Sequence, residues 1–568
     1  MALETLPGSG SSPAIPHSNP EVLIAGAGPT GLMVAALLLR CGVRPRILDK
    51  SPGPAKESRA FAVQARSLEL FQSIGLADRF LDAGLIATGA QIVIDGTPVA
   101  ALDFDDIGRA DTPYPFALMV PQWKTEAILA EDLRGLGVEI EYGTEVLDLA
   151  QTSDGVKVTV QANGAVQEIR ASYVIGADGA HSSVRKALGL RFDGAAYPQS
   201  FFLADCRINW PLGYDRLTLF LHGRHFAAYL PLKGKEIGRV IVIDQSEAEH
   251  TEGLEKQGTS AISLQIVEDA FRDATKLDVT LSDPVWTSRY HVHHRGVDRY
   301  GVGRVFVAGD AAHIHSPAGG QGMNTGLQDA ANLVWKLALV LNGGAPAALL
   351  NTYHDERWPV GKKVLERTDN LFSRATSQNA LFVGLRDAIL PLVAGPLIRN
   401  RTVRAKAFHF VSQLGIRYHE SAFVHDDPSH GASRDWRDGL TAGHRAPDGT
   451  ISNTLRVFDL LQGYRFTLLA LSRRALAESD VAEIVADLDA VRNSVGFELR
   501  SHLIARSLIG RDPRLIQAES GDVFAAYGLG PEASEALVLV RPDGYIAYRS
   551  DRLDTRGLQV YLGHFAGK

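Results

Sequence analysis

A chain of 568 residues is longer than one hydrophobic core usually supports, so two or three domains are expected. Its 45% hydrophobic and 22% charged residues are ordinary for a globular protein, and a net charge of -7 argues against a nucleic-acid partner, which would call for a basic face. Two cysteines, Cys41 and Cys206, cannot build a disulfide framework or a thiolate metal site.

Residues 1–19 are rich in Pro, Ser and Gly without an apolar run, and read as a disordered tail and not as a signal peptide. The most apolar later stretches are interrupted, "LVWKLALVL" by Lys336 and "LFVGLRDAILPLVAGPLI" by Arg386 and Asp387. Neither offers the roughly 20 apolar residues of a membrane span. A cytoplasmic protein without membrane contact is the expectation.

The first predicted unit is "EVLIAGAGPTGLMVAALLLRCGVRPRILDK" from Glu21. An apolar strand, Val22 to Ala25, meets Gly26-Ala27-Gly28-Pro29-Thr30-Gly31, and an apolar helix and a second strand ending at Asp49 follow. In this setting GxGxxG carries meaning: one glycine turns the chain, one lets backbone approach a pyrophosphate, and one packs helix on strand. The helix start favours phosphate, and an acid about 20 residues on suits a ribose. FAD and NAD both fit at this point.

Further on, "ASYVIGADGAHSSVRKALG" places a strand, Tyr173 to Ala177, before Asp178-Gly179 and a basic helical start at Val184-Arg185-Lys186. From Phe201 to Tyr290 short apolar or alternating runs such as "RLTLFLHG", "HFAAYLPL" and "GRVIVIDQ" predict strands separated by turns. "HVHH" ends this region with His291, His293 and His294, but no Cys, Asp or Glu set completes a metal site, and none is expected. A third strand, Val305 to Ala308, runs into "GDAAHIHSPAGGQGMN", where an acid, His313, His315, Pro317 and a glycine-rich turn precede a long helix. That connection is longer and more specialised than a link between elements requires. Beyond Phe423 a polar, turn-rich linker gives way to a small α/β unit with a late hairpin, "ALVLVRPDGYIAYRS". It has no cysteine, so thiol redox chemistry by that unit is excluded.

In this order the three motifs, with "ESRAFAVQARSLELFQSIGL", "VPQWKTEAIL" and "NTYHDERWPVGKKVL", resemble the FAD-dependent aromatic hydroxylases. These are single-component flavoprotein monooxygenases and include para-hydroxybenzoate, phenol and polyketide hydroxylases. The resemblance runs from about residue 20 to about 400, and the tail looks like the thioredoxin-like C-terminal domain of the phenol and polyketide members.

The fold it implies is α/β: a Rossmann-type FAD-binding domain, an inserted β-sheet substrate domain and a C-terminal thioredoxin-like domain without CxxC. The boundaries read as 20–198 for the first part of the FAD-binding domain (with some substrate-domain strands near 85–115), 199–294 for the substrate sheet, 295–422 for the return of the FAD-binding domain, and 423–568 for the last domain. The resemblance places Gly26, Gly28, Pro29, Thr30 and Gly31 at the pyrophosphate, and Asp49 with Lys50 at the adenosine end. Arg59 would reach the pyrophosphate or an incoming nicotinamide. Gln122 and Asp310 would bind the ribityl region, and Asp178 would serve both FAD and NAD(P)H. The turn Gly319-Gly320-Gln321-Gly322-Met323-Asn324 would lie against the flavin ring, its N–H groups polarising the pyrimidine edge. Pro317 would wall the reacting edge, His313 would fix its loop, and His315 would face the pocket and bind a phenolate. Phe201, Phe202, Phe220, Phe226 and Tyr229 would line the substrate pocket.

The reaction implied is NAD(P)H- and O2-dependent hydroxylation of a phenolic or polycyclic aromatic compound through a flavin C4a-hydroperoxide, with NADPH and NADH both open. No second GxGxxG unit is present for the nicotinamide nucleotide. Flavin-dependent oxidases, reductases and halogenases are the alternatives on the same fold, although the halogenase WxWxIP signature is absent. An NAD-dependent dehydrogenase leaves two motifs unexplained. A non-catalytic flavin-binding protein is the reading from a different class. For the C-terminal domain a structural or dimerising role remains, so a homodimer stays open.

Overall fold

A computed structural model describes residues 20–55, 60–104, 107–109, 111–244, 262–315, 320–375, 379, 383, 400–432, 436–437, 439–530 and 533–565. The tail at 1–19, Arg59, Pro317 and Gly319 therefore lie outside the described residues.

The first sheet explains why three distant motifs belong together. Its strands run in the order Gly301–Val302, Val305–Val307, Tyr173–Gly176, Val22–Ala25, Arg46–Asp49, Ile140–Tyr142. Val22–Ala25 pairs in parallel with Tyr173–Gly176, which pairs in parallel with Val305–Val307, and the register aligns Ala25, Gly176 and Val307. All three strands are buried, which suits a parallel sheet covered on both faces and accounts for their continuous apolar runs. The turns that follow them emerge side by side at one carboxyl edge, where open parallel sheets bind ligands.

Two helices cover this edge. Pro29–Arg40 packs against Gly322–Leu341, the longer of which is buried on nearly every side. Such a helix belongs to a core and need not be amphipathic. Its Lys336 is fully buried, donating to Asn332 Oδ1 at 2.7 Å and Glu356 Oε2 at 2.9 Å. No helix among the described residues is long and apolar enough to cross a membrane.

An eight-stranded sheet forms the second layer, built mainly from Phe192–Asn209, Arg216–His222, His225–Pro231, Ile237–Asp244 and Thr280–Val297. Gly89–Ile94 and Thr97–Asp103 extend one edge and His313–Ile314 caps the other. The expected boundaries at 199 and 294 fall inside two of its long strands, which pair with each other in an antiparallel ladder. Both faces are apolar. One packs under the helix Leu264–Thr275 with Phe202, Ala204, Phe220, Tyr229 and Val242. The other carries Phe201, Leu203, Phe226, Ala228 and Ile241 toward Phe61, Ala62 and Met119 of the first domain.

The C-terminal sheet has the order His425–Asp427, Ile546–Ser550, Glu535–Val540, Phe466–Ala475, Leu499–Ser507, Leu515–Gln517. Phe466–Ala475 and Leu499–Ser507 are parallel and joined through the helix Glu478–Ser494, and Glu535–Val540 and Ile546–Ser550 form an antiparallel hairpin. This β-α-β unit followed by a hairpin is the thioredoxin-like arrangement.

Candidate functional site: a dinucleotide cleft at the sheet edge

The glycines of the first turn are there for lack of space. Gly26 has φ +101°, and a Cβ on it would overlap the carbonyl oxygen of Ala177. On Gly31 a Cβ would overlap the Gly26 carbonyl oxygen, so the helix sits directly on its own turn. Gly28 differs, since a Cβ there meets nothing within 4 Å. It borders a cavity of about 290 Å³ lined by Ala27, Asp49, Ser51, Glu126, Arg134 and Tyr142 among others. Leu32 N donates to Gly28 O at 3.0 Å, so the N–H groups of Thr30 and Gly31 in the first turn have no intrahelical acceptor. Pro29 has no N–H and starts the helix.

Asp49 closes this end. Its carboxylate accepts from Ala27 N at 2.7 Å and Ser51 N at 2.7 Å, which fixes the turn and keeps acceptor capacity for a ribose. Lys50, next along, is exposed. Glu126 was not anticipated: burial pushes its carboxyl up to about 7, against the hydrogen bond from Gln122. Gln122 stands at the start of its helix and exchanges two bonds with Ala60, N to O at 3.0 Å and N to Oε1 at 3.2 Å, and donates to Glu126 at 2.9 Å.

The second and third turns are tied to each other. Asp178 accepts from Ser182 Oγ at 2.5 Å and Val184 N at 3.2 Å, and burial pushes its carboxyl above the ordinary range against those bonds. Arg185 spans the gap, donating to Ala180 O at 2.7 Å and Ala311 O at 3.0 Å with its guanidinium over Phe192 at 3.8 Å. Asp310, one residue before Ala311, is exposed at the cleft edge.

The glycine-rich turn ends in the long helix. Thr325 N donates to Gln321 O at 2.9 Å, so the N–H groups of Gly322, Met323 and Asn324 lack intrahelical acceptors, and a Cβ on Gly322 would meet nothing within 4 Å. Two helix starts with bare N–H groups and open space above a glycine fit the phosphates and the flat ring of a flavin dinucleotide. Gly320 lies beside Ala62 and Phe61, and Met323 packs partly into the core. The Asn324 side chain is consumed by protein: Oδ1 accepts from Gln64 N at 2.9 Å and Ser67 Oγ at 2.7 Å, and Nδ2 donates to Ala62 O and Gly320 O, both at 2.8 Å. Any contact of Asn324 with a ring would be made by its backbone. Gln321 is also buried, donating to Val411 O at 3.0 Å and accepting from Gln413 at 2.5 Å.

His313 fixes its loop, bonded at 2.6 Å to the fully buried Asp329. Asp329 also accepts from Gly309 N at 3.1 Å and Arg357 Nε at 2.8 Å. Burial opposes its ionisation, yet His313 and Arg357 together hold its carboxyl below the ordinary value. The His315 ring lies tilted against His313 at 4.7 Å, and burial, reinforced by His313, pushes its imidazole well below the ordinary value. Both of its ring nitrogens lack a hydrogen-bond partner among the described residues. His293 and His294 are neighbours on one strand and so turn to opposite faces.

The expectation for Phe202, Phe220 and Tyr229 is corrected. All three are buried under the helix Leu264–Thr275, on the face turned away from the dinucleotide cleft. Strand alternation instead turns Phe201 and Phe226 toward Phe61, with Trp286 and Tyr290 beside them. A bidentate pair, Arg239 Nε to Asp205 Oδ1 at 2.7 Å and Nη2 to Oδ2 at 2.8 Å, lies on that same face. Trp286 Nε1 donates to Asp205 at 2.9 Å.

The cleft and its fold are those of a flavoprotein. Residues 19–368 match the FAD binding domain and residues 440–568 the aromatic-ring hydroxylase C-terminal domain. The chain is 36% identical over 548 residues to 6-methylpretetramide 4-monooxygenase of Streptomyces rimosus, covering 96% of this chain and 93% of that one. It is 33% identical over 544 residues to pentachlorophenol 4-monooxygenase of Sphingobium chlorophenolicum, covering 93% of each. Among solved structures, OxyS anhydrotetracycline hydroxylase from Streptomyces rimosus superposes with a TM-score of 0.71 at 29% identity, over 97% of this chain and 99% of that one. The chain belongs to the FAD-dependent aromatic-ring hydroxylases, enzymes of the flavin monooxygenase class.

Proposed function

We propose that this enzyme uses NAD(P)H and O2 to hydroxylate a phenolic or polycyclic aromatic compound. One oxygen atom enters the ring as hydroxyl, the other leaves as water, and NAD(P)H supplies the two electrons. The two helix starts Pro29–Arg40 and Gly322–Leu341 would hold FAD, which when bound would supply the redox chemistry between NAD(P)H and O2. The observation that carries this reading is the convergence of the two bare helix starts, Pro29–Arg40 and Gly322–Leu341, on one cleft that an aromatic sheet face overlooks.

In this reading Thr30 and Gly31 donate N–H groups to the pyrophosphate, and Asp49, beside Lys50, accepts from the adenosine ribose. Gln122 and Asp310 bracket the ribityl chain, and Asp178 with Arg185 sets the rim where NAD(P)H approaches. The N–H groups of Gly322, Met323 and Asn324 favour negative charge on the ring's pyrimidine edge, as a helix start does. Phe61, Phe201, Phe226, Trp286 and Tyr290 exclude water from the face where the substrate lies. A neutral His315 holds a phenol by hydrogen bond and not by opposing charge, which revises the phenolate role expected from sequence.

The relatives named for tetracycline-type substrates favour a polycyclic phenol, and the one named for pentachlorophenol keeps a single ring in view. The test is anaerobic reduction of the bound flavin by NADPH or NADH with a panel of both kinds of phenol, followed by turnover under 18O2. Substrate-stimulated reduction and one 18O per product are expected. Reduction indifferent to every phenol, with all electrons recovered as hydrogen peroxide, would sink hydroxylation in favour of an oxidase.

A further inference from the structure

We propose that Arg66 and Arg357 are positioning residues through which the C-terminal domain grips both ends of the loop facing the flavin. The inference rests on FAD occupying the cleft as read above. Both arginines lead to the turn Arg541–Tyr545 of the C-terminal hairpin, Arg66 directly and Arg357 through Tyr418.

Arg357 serves the first end. Its guanidinium donates to Asp329 at 2.8 Å, to Thr325 O at 3.1 Å and to Tyr418 Oη at 3.0 Å. Asp329 in turn holds His313 and the Gly309 N–H, the residues that open the loop. The Tyr418 ring packs on Tyr545 at 4.4 Å, under the Arg541 guanidinium at 5.1 Å.

Arg66 serves the second end. It donates to Glu69 at 2.8 Å and to the Asp543 carbonyl, with its guanidinium 5.0 Å over the Tyr545 ring. Arg445 braces Glu69 from the C-terminal side at 3.0 Å. The same helix starts at Ala65, and there Gln64 N and Ser67 Oγ hold Asn324, which holds Gly320 O where the loop closes. The turn itself is rigid: Arg541 forks onto Glu356 at 2.7 and 3.0 Å and onto Asp543 at 2.5 and 2.9 Å, all buried.

A thioredoxin-like domain without cysteine has no thiol chemistry to perform, and an apolar interface would hold it in place more cheaply than buried ions do. What fixed, directional bonds add is register. Here they fix Gly309 and His313 on one side and Gly320 and Asn324 on the other, and with them the aim of the Gly322–Asn324 N–H groups at the ring. Loosening that aim weakens FAD binding, and weakens the reduced anionic form more than the oxidised one.

The test compares Arg66→Met and the milder Tyr418→Phe with Val538→Ala, which opens the C-terminal domain's own core and touches neither arginine. FAD affinity of the apoprotein, the two-electron potential of the holoenzyme and the thermal midpoint are measured, none needing a substrate. Losing one bond to a charged group corresponds to FAD binding weakened about tenfold. A tenfold loss of preference for the reduced form makes the potential about 30 mV more negative. Both arginine-side variants are expected to move affinity and potential, Tyr418→Phe less, and Arg66→Lys to recover part of the loss. Val538→Ala is expected to lower the midpoint alone. If Arg66→Met and Tyr418→Phe lower the midpoint and leave affinity and potential at wild-type values, the proposal is overturned while the reading of the cleft stands. If the wild-type protein takes up no FAD, both fall.

Discussion

Replacing Gly326 with alanine tests how tightly the two FAD-facing helices are set against each other. Gly326 lies in the first turns of Gly322–Leu341, where a Cβ would overlap the Thr30 hydroxyl and stand 3.1 Å from Gly309 Cα and 3.6 Å from Thr30 Cβ. Alanine in a helix gains up to about 1 kcal/mol over glycine, whereas overpacking a close contact costs about 1–3 kcal/mol. The net loss is then about 0–2 kcal/mol, directed into the contact that aligns the Pro29–Arg40 start with the Gly309 turn. If 1.4 kcal/mol of it is borne by the cleft, FAD binding weakens about tenfold. Thr30→Ala removes the overlapping hydroxyl and leaves a Cβ at ordinary contact distance, so the double variant should regain most of that loss. Recovery stays partial because Gly309 Cα is backbone and cannot yield. FAD dissociation constants from quenching of flavin fluorescence, measured for both singles and the double, give the coupling directly. Independent sites add to within about 0.5 kcal/mol. A double variant as weak as the product of the two singles would refute the packing argument.

Three further outcomes follow from the same geometry. Gly31→Ala sets a methyl against the Gly26 carbonyl, backbone against backbone, and should abolish FAD retention on gel filtration with no second-site rescue at Thr30. For Glu126, whose folded carboxyl is raised to about 7, the native state holds its proton more tightly than the unfolded chain. The stability of the apoprotein should therefore fall as pH rises from about 4.5 to about 7. Glu126→Gln should flatten that slope and gain at most about 3 kcal/mol at pH 8, read from thermal midpoints across pH. Phe201→Ala should alter phenol-dependent flavin reduction, whereas Phe202→Ala should cost about 3–5 kcal/mol of stability and leave the phenol's apparent affinity alone. The reverse pattern would return the substrate to the helix-covered face.

The parts of the site that sequence makes legible are those whose chemistry is local. Gly26 and Gly31 are needed by a turn and a helix adjacent in the chain, and the hairpin around Gly544 announces itself in "VRPDGY". Face assignment in the large sheet is not local. Phe201 and Phe202 are consecutive aromatics on a strand buried on both sides, so alternation cannot say which one meets the cleft until the covering helix is known. Asn324 misleads in another way, because a sequence motif does not separate a side chain that touches a ligand from one that bonds its own turn. The roles of Arg66 and Arg357, and of Arg185 beyond its place in a basic helical start, are not legible because the bonds that define them, to the Asp543, Asp329 and Ala311 positions, reach across the chain. A signal for that buried network exists in Asp329, Asn332 and Lys336, polar residues at helical spacing in a segment otherwise apolar enough to be core.

The bond from Arg66 to the Asp543 carbonyl joins positions 477 residues apart. During synthesis the glycine turns leave the ribosome long before the hairpin that braces them, and domains fold in that order at about 5–20 residues per second. The nascent enzyme thus carries a complete dinucleotide fingerprint for most of its birth and acquires the means to hold the flavin loop only in the last stretch of chain. Under the proposal above, firm retention of the cofactor would wait for the Arg541–Tyr545 turn to dock.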